Sequence, residues 1–168
     1  MRRKDREIKE FDEIIDVLSR CKVLHLAIIS DGKPYAVPVN FGFAVRESDG
    51  QKKLTLYFHG AGEGKKLDAI KANPQVSFCA ETSVEASGPQ DANACKWTCF
   101  YESVIGFGTT TLVEDSKERT AGLDTIMLHN GYKIPFGVKT IAYSAMALAH
   151  TAVVKIEVSE ITGKHHLK

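Results

Sequence analysis

The chain has 168 residues, of which 43% are hydrophobic and 26% charged, so residues 1–168 suit one domain with a single core. A formal net charge of +1 argues against broad electrostatic binding to nucleic acid or to a membrane surface. No apolar run approaches the ~20 residues that span a bilayer, and the charged start lacks the apolar core of a signal peptide. We therefore expect a cytoplasmic protein.

The first part of the chain predicts one helix followed by three strands. Apolar residues at three- and four-residue spacing indicate the helix, and alternation indicates the strands. The predicted elements are a helix over about 5–20 and strands over 23–29, 35–45 and 53–58. Asp31-Gly32 is a hairpin turn signal, and Pro38 predicts an edge or a bulge because it cannot donate to a sheet ladder.

The second part alternates helices and strands without a repeated βαβ pattern. The predicted helices cover 65–72 and 117–129, and Asp115 or Ser116 is expected to cap the second helix. The predicted strands cover 75–81, 97–113 and 151–158, and a loop is predicted over 82–94. Residues 132–147 remain ambiguous. Six strands with helices inserted between hairpins predict an antiparallel, barrel-like α+β fold.

The four cysteines are predicted to be reduced thiols rather than disulfides or zinc ligands. The spacing of Cys95 and Cys99 differs from that of zinc ribbons, and the chain has no second close pair, so we expect no metal site. Cys21 and Cys79 lie in apolar runs and are expected to be small buried side chains.

The segment with the clearest chemical potential runs from the end of the third strand into the next helix. There His59 is followed by a loop with three glycines, and Lys65 and Lys66 begin the helix. Glycines let a ligand approach the backbone, and a helix N-terminus with two ammonium groups favours a phosphate. Two solvated lysines at a helix start are the alternative interpretation, and the spacing matches neither a P-loop nor a dinucleotide fingerprint.

Two further side chains have two interpretations each. His59 could hydrogen-bond a ligand and transfer protons near neutral pH, or it could simply tether its loop. Trp97 could stack on a planar ring, or it could belong to the core or to a subunit interface. The residues alone leave both alternatives open.

Seven short segments, in order along nearly the whole chain, carry a family resemblance. They are Val37 to Phe41, Leu56 to Ala61, Gly64 to Asp68, Asn73 to Val76, Ala94 to Trp97, Ser103 to Gly108 and Glu160 to Lys164. This series resembles the nitroimidazole-resistance proteins of the pyridoxamine 5′-phosphate oxidase-like, FMN-binding superfamily. The resemblance implies a six-stranded antiparallel split β-barrel with flanking helices.

The resemblance also implies a homodimer with two FMN sites at the subunit interface. The flavin ring is expected against Pro38, Val39, Asn40, Tyr57, Phe58 and His59. Lys65 and Lys66 match the positions expected to meet the phosphate, and Ser103 lies on a strand that usually adds a phosphate or ribityl contact. His59 matches a histidine near the flavin, and Trp97 is expected from the partner subunit.

The leading functional hypothesis is an FMN-dependent oxidoreductase. A nicotinamide donor would reduce the flavin, which would reduce a nitroaromatic or another small acceptor, with His59 as the candidate catalytic residue. The alternatives are a non-catalytic flavin-binding, storage or redox-sensing protein and, less favoured, a haem-binding split barrel. Glu102 stands where relatives often carry a basic residue, so the phosphate site is expected to be weaker or to depend more on Lys65 and Lys66.

Overall fold

The computed structural model of the protein describes residues 2–90 and 93–168 as one antiparallel sheet with helices packed around it. The strands are β1 (Glu7–Ile8), β2 (Val23–Ser30), β3 (Lys33–Ser48), β4 (Gln51–Ala61), β5 (Gln75–Ser87), β6 (Thr98–Leu112) and β7 (Thr151–His166). The helices are α1 (Phe11–Arg20), α2 (Lys65–Ala72), α3 (Ser116–His129) and α4 (Ala145–His150), with short 3-10 turns at Lys4–Arg6 and Ala94–Lys96.

The sheet closes on itself as a barrel. Its strand order is β1-β7-β4-β3-β2-β5-β6, and β6 also pairs with β7. The long strand β3 changes partner midway, because Lys33–Asn40 pairs with β2 whereas Phe41–Ser48 pairs with β4. In the described part of the chain, Pro38 therefore has a strand on one side only, which confirms the predicted edge.

Two hairpins turn on Asp-Gly pairs. Asp31 and Gly32 connect β2 to β3, and Asp49 and Gly50 connect β3 to β4, all four with φ between 53° and 72°. Positive φ at both central residues is what a two-residue type I′ turn requires, and Asp-Gly adopts it readily. The turns thus fix the register of β2, β3 and β4 relative to one another.

Large apolar side chains fill the barrel. Phe41, Phe58 and Phe78 are fully buried, and α1 contributes Val17 and Leu18 to the same core. Burying one such side chain stabilises the fold by roughly 1.5–3 kcal/mol relative to leaving it exposed. The barrel interior is therefore a packed core rather than a ligand cavity.

Helix α3 covers the outer face of β3 and β4. A Cβ at Gly42 would lie 2.4 Å from the carbonyl oxygen of Thr125, so the helix approaches the strand at a residue without a side chain. Tyr57 packs beneath the helix beside Leu123, in a second apolar cluster. Asp115 caps α3, as one of the two predicted alternatives, because its carboxylate accepts from two backbone N–H groups of the first turn.

The predicted α+β class and split antiparallel barrel are confirmed, and the six predicted strands are β2 to β7. Helix α1 begins at Phe11 rather than near residue 5, because Glu7–Ile8 pairs with β7 instead. Strands β5 and β7 extend past residues 81 and 158, since both continue to pair with β6.

The predicted loop over 82–94 is therefore partly strand, and its residues 91 and 92 lie outside the described residues. Helix α4 lies in the segment that the sequence left ambiguous. Among the helices described, none has the length and apolar character needed to cross a membrane.

Candidate functional site

Lys65 and Lys66 are the first two residues of α2, directly after the loop that follows β4. The residue before them, Gly64, has φ 121°, and no side chain caps the helix. A helix N-terminus carries partial positive charge on N–H groups without intrahelical partners. The two ammonium groups and the helix end therefore concentrate positive charge beside the end of β4.

The two ammonium groups lie over aromatic rings of neighbouring strands. Lys66 Nζ is 5.3 Å from the ring centroid of Phe58, and Lys65 Nζ is 5.0 Å from that of Tyr35. Lys66 is half-buried, and this burial lowers its pKa. The ion pairs found among the described residues include neither lysine. An anion at this place would supply the missing counter-charge.

Asn40 and His59 share the outer face of the barrel, whereas the two ammonium groups lie over rings that belong to or pack against the core. Their neighbours Phe41 and Phe58 pair across β3 and β4 and both point inward, so alternation turns Asn40 and His59 outward, where both are exposed. Asn40 donates from Nδ2 to the carbonyl oxygen of Lys22 over 3.2 Å. The His59 side chain has no hydrogen bond to any described residue, so the structure shows no side-chain tether to its loop, and its exposed ring can meet a ligand.

Three predicted cofactor residues have buried side chains. Val39 and Phe58 lie in the barrel core, and Tyr57 lies beneath α3. The Tyr57 hydroxyl donates to Glu118 over 3.4 Å, and Glu118 also accepts from Lys155 over 3.1 Å. Burial, and after it the charge of Glu118, raises the pKa of Tyr57. A ligand on the outer face would meet these three residues through their backbone.

Ser103 lies on β6 and Trp97 just before it, whereas His59 lies on β4. Ile105, two residues from Ser103, lies three strands across the sheet from the predicted flavin residue Pro38, roughly 14 Å at ~4.8 Å per strand. Trp97 is 44% exposed, and its indole Nε1 donates to a backbone carbonyl of the preceding loop over 2.9 Å. The cofactor roles of both residues stay predictions.

Glu102 is held by a partner that sequence spacing did not reveal. Arg20 at the end of α1 donates to both of its carboxylate oxygens, from Nη2 over 2.8 Å and from Nη1. Arg20 also donates to Asp16 over 3.0 Å. The hydrogen bond from Arg20 is the largest cause that lowers the pKa of Glu102. The charge of Glu102 is thus compensated locally instead of projecting toward a phosphate.

The outward surface of β2, β5 and β6, here called the apolar outer face, exposes several large hydrophobic residues. Val23 and Ile29 lie on β2, and Ile105 and Phe107 lie on β6, each between 40% and 51% exposed. Cys79 lies on β5 between them, because it pairs with Ile105 on one side. Large apolar side chains exposed on one sheet face indicate an interaction site, and the polar side chains of His25 and Glu81 lie among them. Strand alternation in the sequence was the available signal for it.

Solved structures with this fold cover most of the chain. A protein of Bacteroides thetaiotaomicron, described as a candidate 5-nitroimidazole antibiotic resistance protein, is 27% identical over 95% of this chain and 86% of its own, with a TM-score of 0.72. A flavocytochrome from Azotobacter vinelandii shares the fold at 17% identity over 100% of this chain and 72% of its own, with a TM-score of 0.76. A FAD-binding protein from Mesorhizobium loti shares it at 22% identity over 94% of this chain and 96% of its own, with a TM-score of 0.59. No curated protein matches the chain.

The family comparison covers nearly the whole sequence. The family model that matches, described as pyridoxamine 5′-phosphate oxidase, aligns with residues 10–165. This range runs from just before α1 to the end of β7 and includes the lysine pair, His59 and the apolar outer face. The chain belongs to the pyridoxamine 5′-phosphate oxidase family.

Proposed function

We propose that this chain is a cytoplasmic flavoprotein that binds FMN and uses it to reduce a nitroaromatic or another small acceptor. The observation that carries the proposal is the pair of ammonium groups of Lys65 and Lys66 at the N-terminus of α2, which begins six residues after the exposed His59. A terminal phosphate suits these donors, because lysines and free helix amides both stabilise anions. All four cysteines are free, as expected in a reducing compartment.

The half-buried state of Lys66 fits a bound phosphate. Its ammonium group has lost part of its hydration, and the ion pairs of the described residues do not include it. A phosphate oxygen within hydrogen-bond distance would compensate that loss. We favour FMN over FAD because its phosphate is terminal and can be enclosed by one small cluster of donors.

Family membership and two relatives support a flavin. One relative is described as FAD-binding and another as a flavocytochrome. A third, described as a candidate 5-nitroimidazole antibiotic resistance protein, favours a nitroaromatic acceptor.

The flavin site of the proposal lies between two copies of the chain. The family resemblance implies this arrangement, with Trp97 supplied by the partner subunit, and Ser103 lies on β6 rather than beside the lysine pair on α2. The apolar outer face offers surface for that partner. A homodimer would bury this surface and add Ser103 and Trp97 to the partner's lysine pair and His59.

Each exposed polar residue then has a defined task. Lys65 and Lys66 bind the phosphate, and Asn40 and His59 face the ligand from the outer surface of β3 and β4. When bound, the flavin supplies the redox chemistry, taking electrons from a nicotinamide and passing them to the acceptor. His59 orients the acceptor and donates a proton to it from its imidazolium form.

The absorbance spectrum of the purified protein, with mass spectrometry of the released cofactor, tests the cofactor. We expect flavin bands and the mass of FMN. If the released cofactor has the mass of FAD, the proposed cofactor changes from FMN to FAD. If the spectrum shows a Soret band and no flavin bands, the proposed cofactor changes to haem, with the exposed His59 as its candidate ligand.

A steady-state assay with reduced nicotinamide and a nitroimidazole tests the reaction. We expect nicotinamide oxidation that depends on the acceptor. Bound flavin without turnover over a panel of nitroaromatics and quinones would instead favour a storage protein or redox sensor.

His59→Ala tests the proton donor. We expect a turnover loss of about 10²-fold or more, typical for removal of a general acid, with flavin content unchanged. His165→Ala is the matched control, because the proposal gives His165, a β7 residue that pairs with Glu102, no role in turnover. Equal turnover in both variants would remove His59 from the mechanism.

A further inference from the structure

A histidine, a cysteine and a glutamate meet on the outer surface of β2 and β5. His25 is the direct antiparallel partner of Cys79, and Glu81 is the next residue of β5 on the same face. One imidazole nitrogen, the thiol sulfur and one carboxylate oxygen all lie within 4.8 Å of one another. His25 and Glu81 are exposed and Cys79 is partly exposed, so all three are accessible in the single chain.

The backbone holds these three residues in place more firmly than a loop would. Directly opposed residues of antiparallel strands keep their Cβ atoms ~4.5–5.5 Å apart. A Zn²⁺ ion with bonds of ~2.0–2.3 Å holds nitrogen, oxygen and sulfur ligands roughly 3.3–3.8 Å from one another in a tetrahedron. Side-chain rotations that move the ligand atoms by about 1 Å bring their separations from within 4.8 Å to those of a zinc site. Because the three side chains are at least partly exposed, they have room for such rotations.

The chemistry of the three groups selects the kind of ion. Imidazole, thiolate and carboxylate together suit Zn²⁺, whereas Ca²⁺ and Mg²⁺ bind oxygen ligands almost exclusively. The thiolate and the carboxylate carry two negative charges, which balance one divalent cation. A surface pair of His25 Nε2 and Glu81 Oε1, 3.9 Å apart, accounts for two of the groups but not for the thiol beside both.

We propose that His25, Cys79 and Glu81 bind one Zn²⁺ ion per chain and leave a fourth position for water or, in the proposed homodimer, for a group of the partner subunit that covers this face. Binding releases the thiol proton of Cys79 to solvent, so the thiolate is the form that binds. The site lies on the apolar outer face, one strand from the predicted flavin residue Pro38, which pairs with His25. The proposal does not depend on flavin binding, because none of its three ligands belongs to the lysine pair or to His59.

Cobalt difference spectroscopy on the full-length protein, as purified and then freed of metal with a chelator, tests the site. Co²⁺ replaces Zn²⁺ in such sites and gives a thiolate-to-cobalt charge-transfer band in the near ultraviolet. Subtracting the cobalt-free spectrum removes the absorbance of any cofactor. We expect a band that saturates at one Co²⁺ per chain and disappears when Zn²⁺ is added.

Variants assign the band to these residues. Cys79→Ser should abolish it, and Cys99→Ser, at an exposed cysteine elsewhere, should retain it in full. Glu81→Gln keeps the thiol and changes an exposed side chain, and it should weaken Co²⁺ binding by more than about tenfold. Circular dichroism identifies any variant that does not fold. The proposal is overturned by no band in the wild-type protein, by a band that survives Cys79→Ser, or by undiminished affinity in folded Glu81→Gln.

Discussion

Replacing Lys66 by methionine removes its ammonium group and keeps most of its unbranched stem. The Lys66 ammonium lies 5.3 Å from the Phe58 ring centroid, is half-buried, and has a pKa lowered by that burial. Without a ligand, the partial desolvation of this charge therefore lowers the free energy of unfolding. We expect flavin-free Lys66→Met protein to unfold at the same or a slightly higher temperature than the wild type, measured by differential scanning fluorimetry.

The same substitution should weaken FMN binding. A hydrogen bond to a charged group contributes about 1.5–3 kcal/mol, and each ~1.4 kcal/mol is a factor of ten in affinity. We therefore expect the Kd for FMN to rise by about 10- to 150-fold in Lys66→Met. Titration of FMN fluorescence with flavin-free protein at fixed ionic strength measures this change.

A matched control separates a local contact from general loss of positive charge. Lys71 lies on the same helix, in its last turn, and is exposed. Because exposed charges are well screened, Lys71→Met should change the Kd by no more than about twofold. An unchanged Kd in Lys66→Met, or an equal loss in both variants, would refute the phosphate assignment.

Three further substitutions test the fold around the site. Gly42→Ala should lower the free energy of unfolding in urea by about 1–3 kcal/mol, because its Cβ would meet the backbone of Thr125; a neutral result would contradict the packing of α3. Asp115→Ala should cost about 1 kcal/mol through loss of the α3 cap, and an unchanged urea midpoint would show that the cap is redundant. His129 donates from Nε2 to the carbonyl of Cys21 over 2.8 Å. Burial lowers the pKa of His129 below its usual value of 6.5. The unfolded chain then binds the proton first, so stability should be full above pH 6.5 and fall as the pH drops through the lower folded pKa; His129→Gln should flatten that fall, and an equally steep profile would count against this account.

Local sequence signals predicted the hairpins and α2 well, because their causes lie within a few residues. Asp31-Gly32 and Asp49-Gly50 specify two-residue turns by their own backbone preferences. The start of α1 was less predictable. Ile8 fits the helical spacing of the apolar residues that follow it, yet it packs against Gly163 as part of a strand pair with β7. That pairing depends on residues far along the chain.

In the candidate site, too, features with causes close in sequence were predicted, and features that depend on distant residues were not. His59, Lys65 and Lys66 are close in sequence and were found together. The partner of Glu102 is Arg20, on a distant helix, and no local pattern revealed it. Cys79, expected to be buried, is partly exposed because it faces outward from β5.

The structure shows the orientation of His25 but does not test the cofactor contacts of two other residues. His25 faces out of the core, because strand alternation in β2 turns it outward. The cofactor contacts of Trp97 and Ser103 stay predictions.

The double pairing of β7 also has a consequence for the order of folding. Its residues Val154 to Ile156 pair with β4 on one side and β6 on the other, so barrel closure joins strands that are distant in sequence. Loop-closure entropy makes such contacts slow to form. The β3–β4 hairpin and α2, which carry His59 and the lysine pair, can assemble earlier from contiguous residues. Their amides should gain protection from hydrogen exchange before those of β7, and the contribution of Ser103 must await closure.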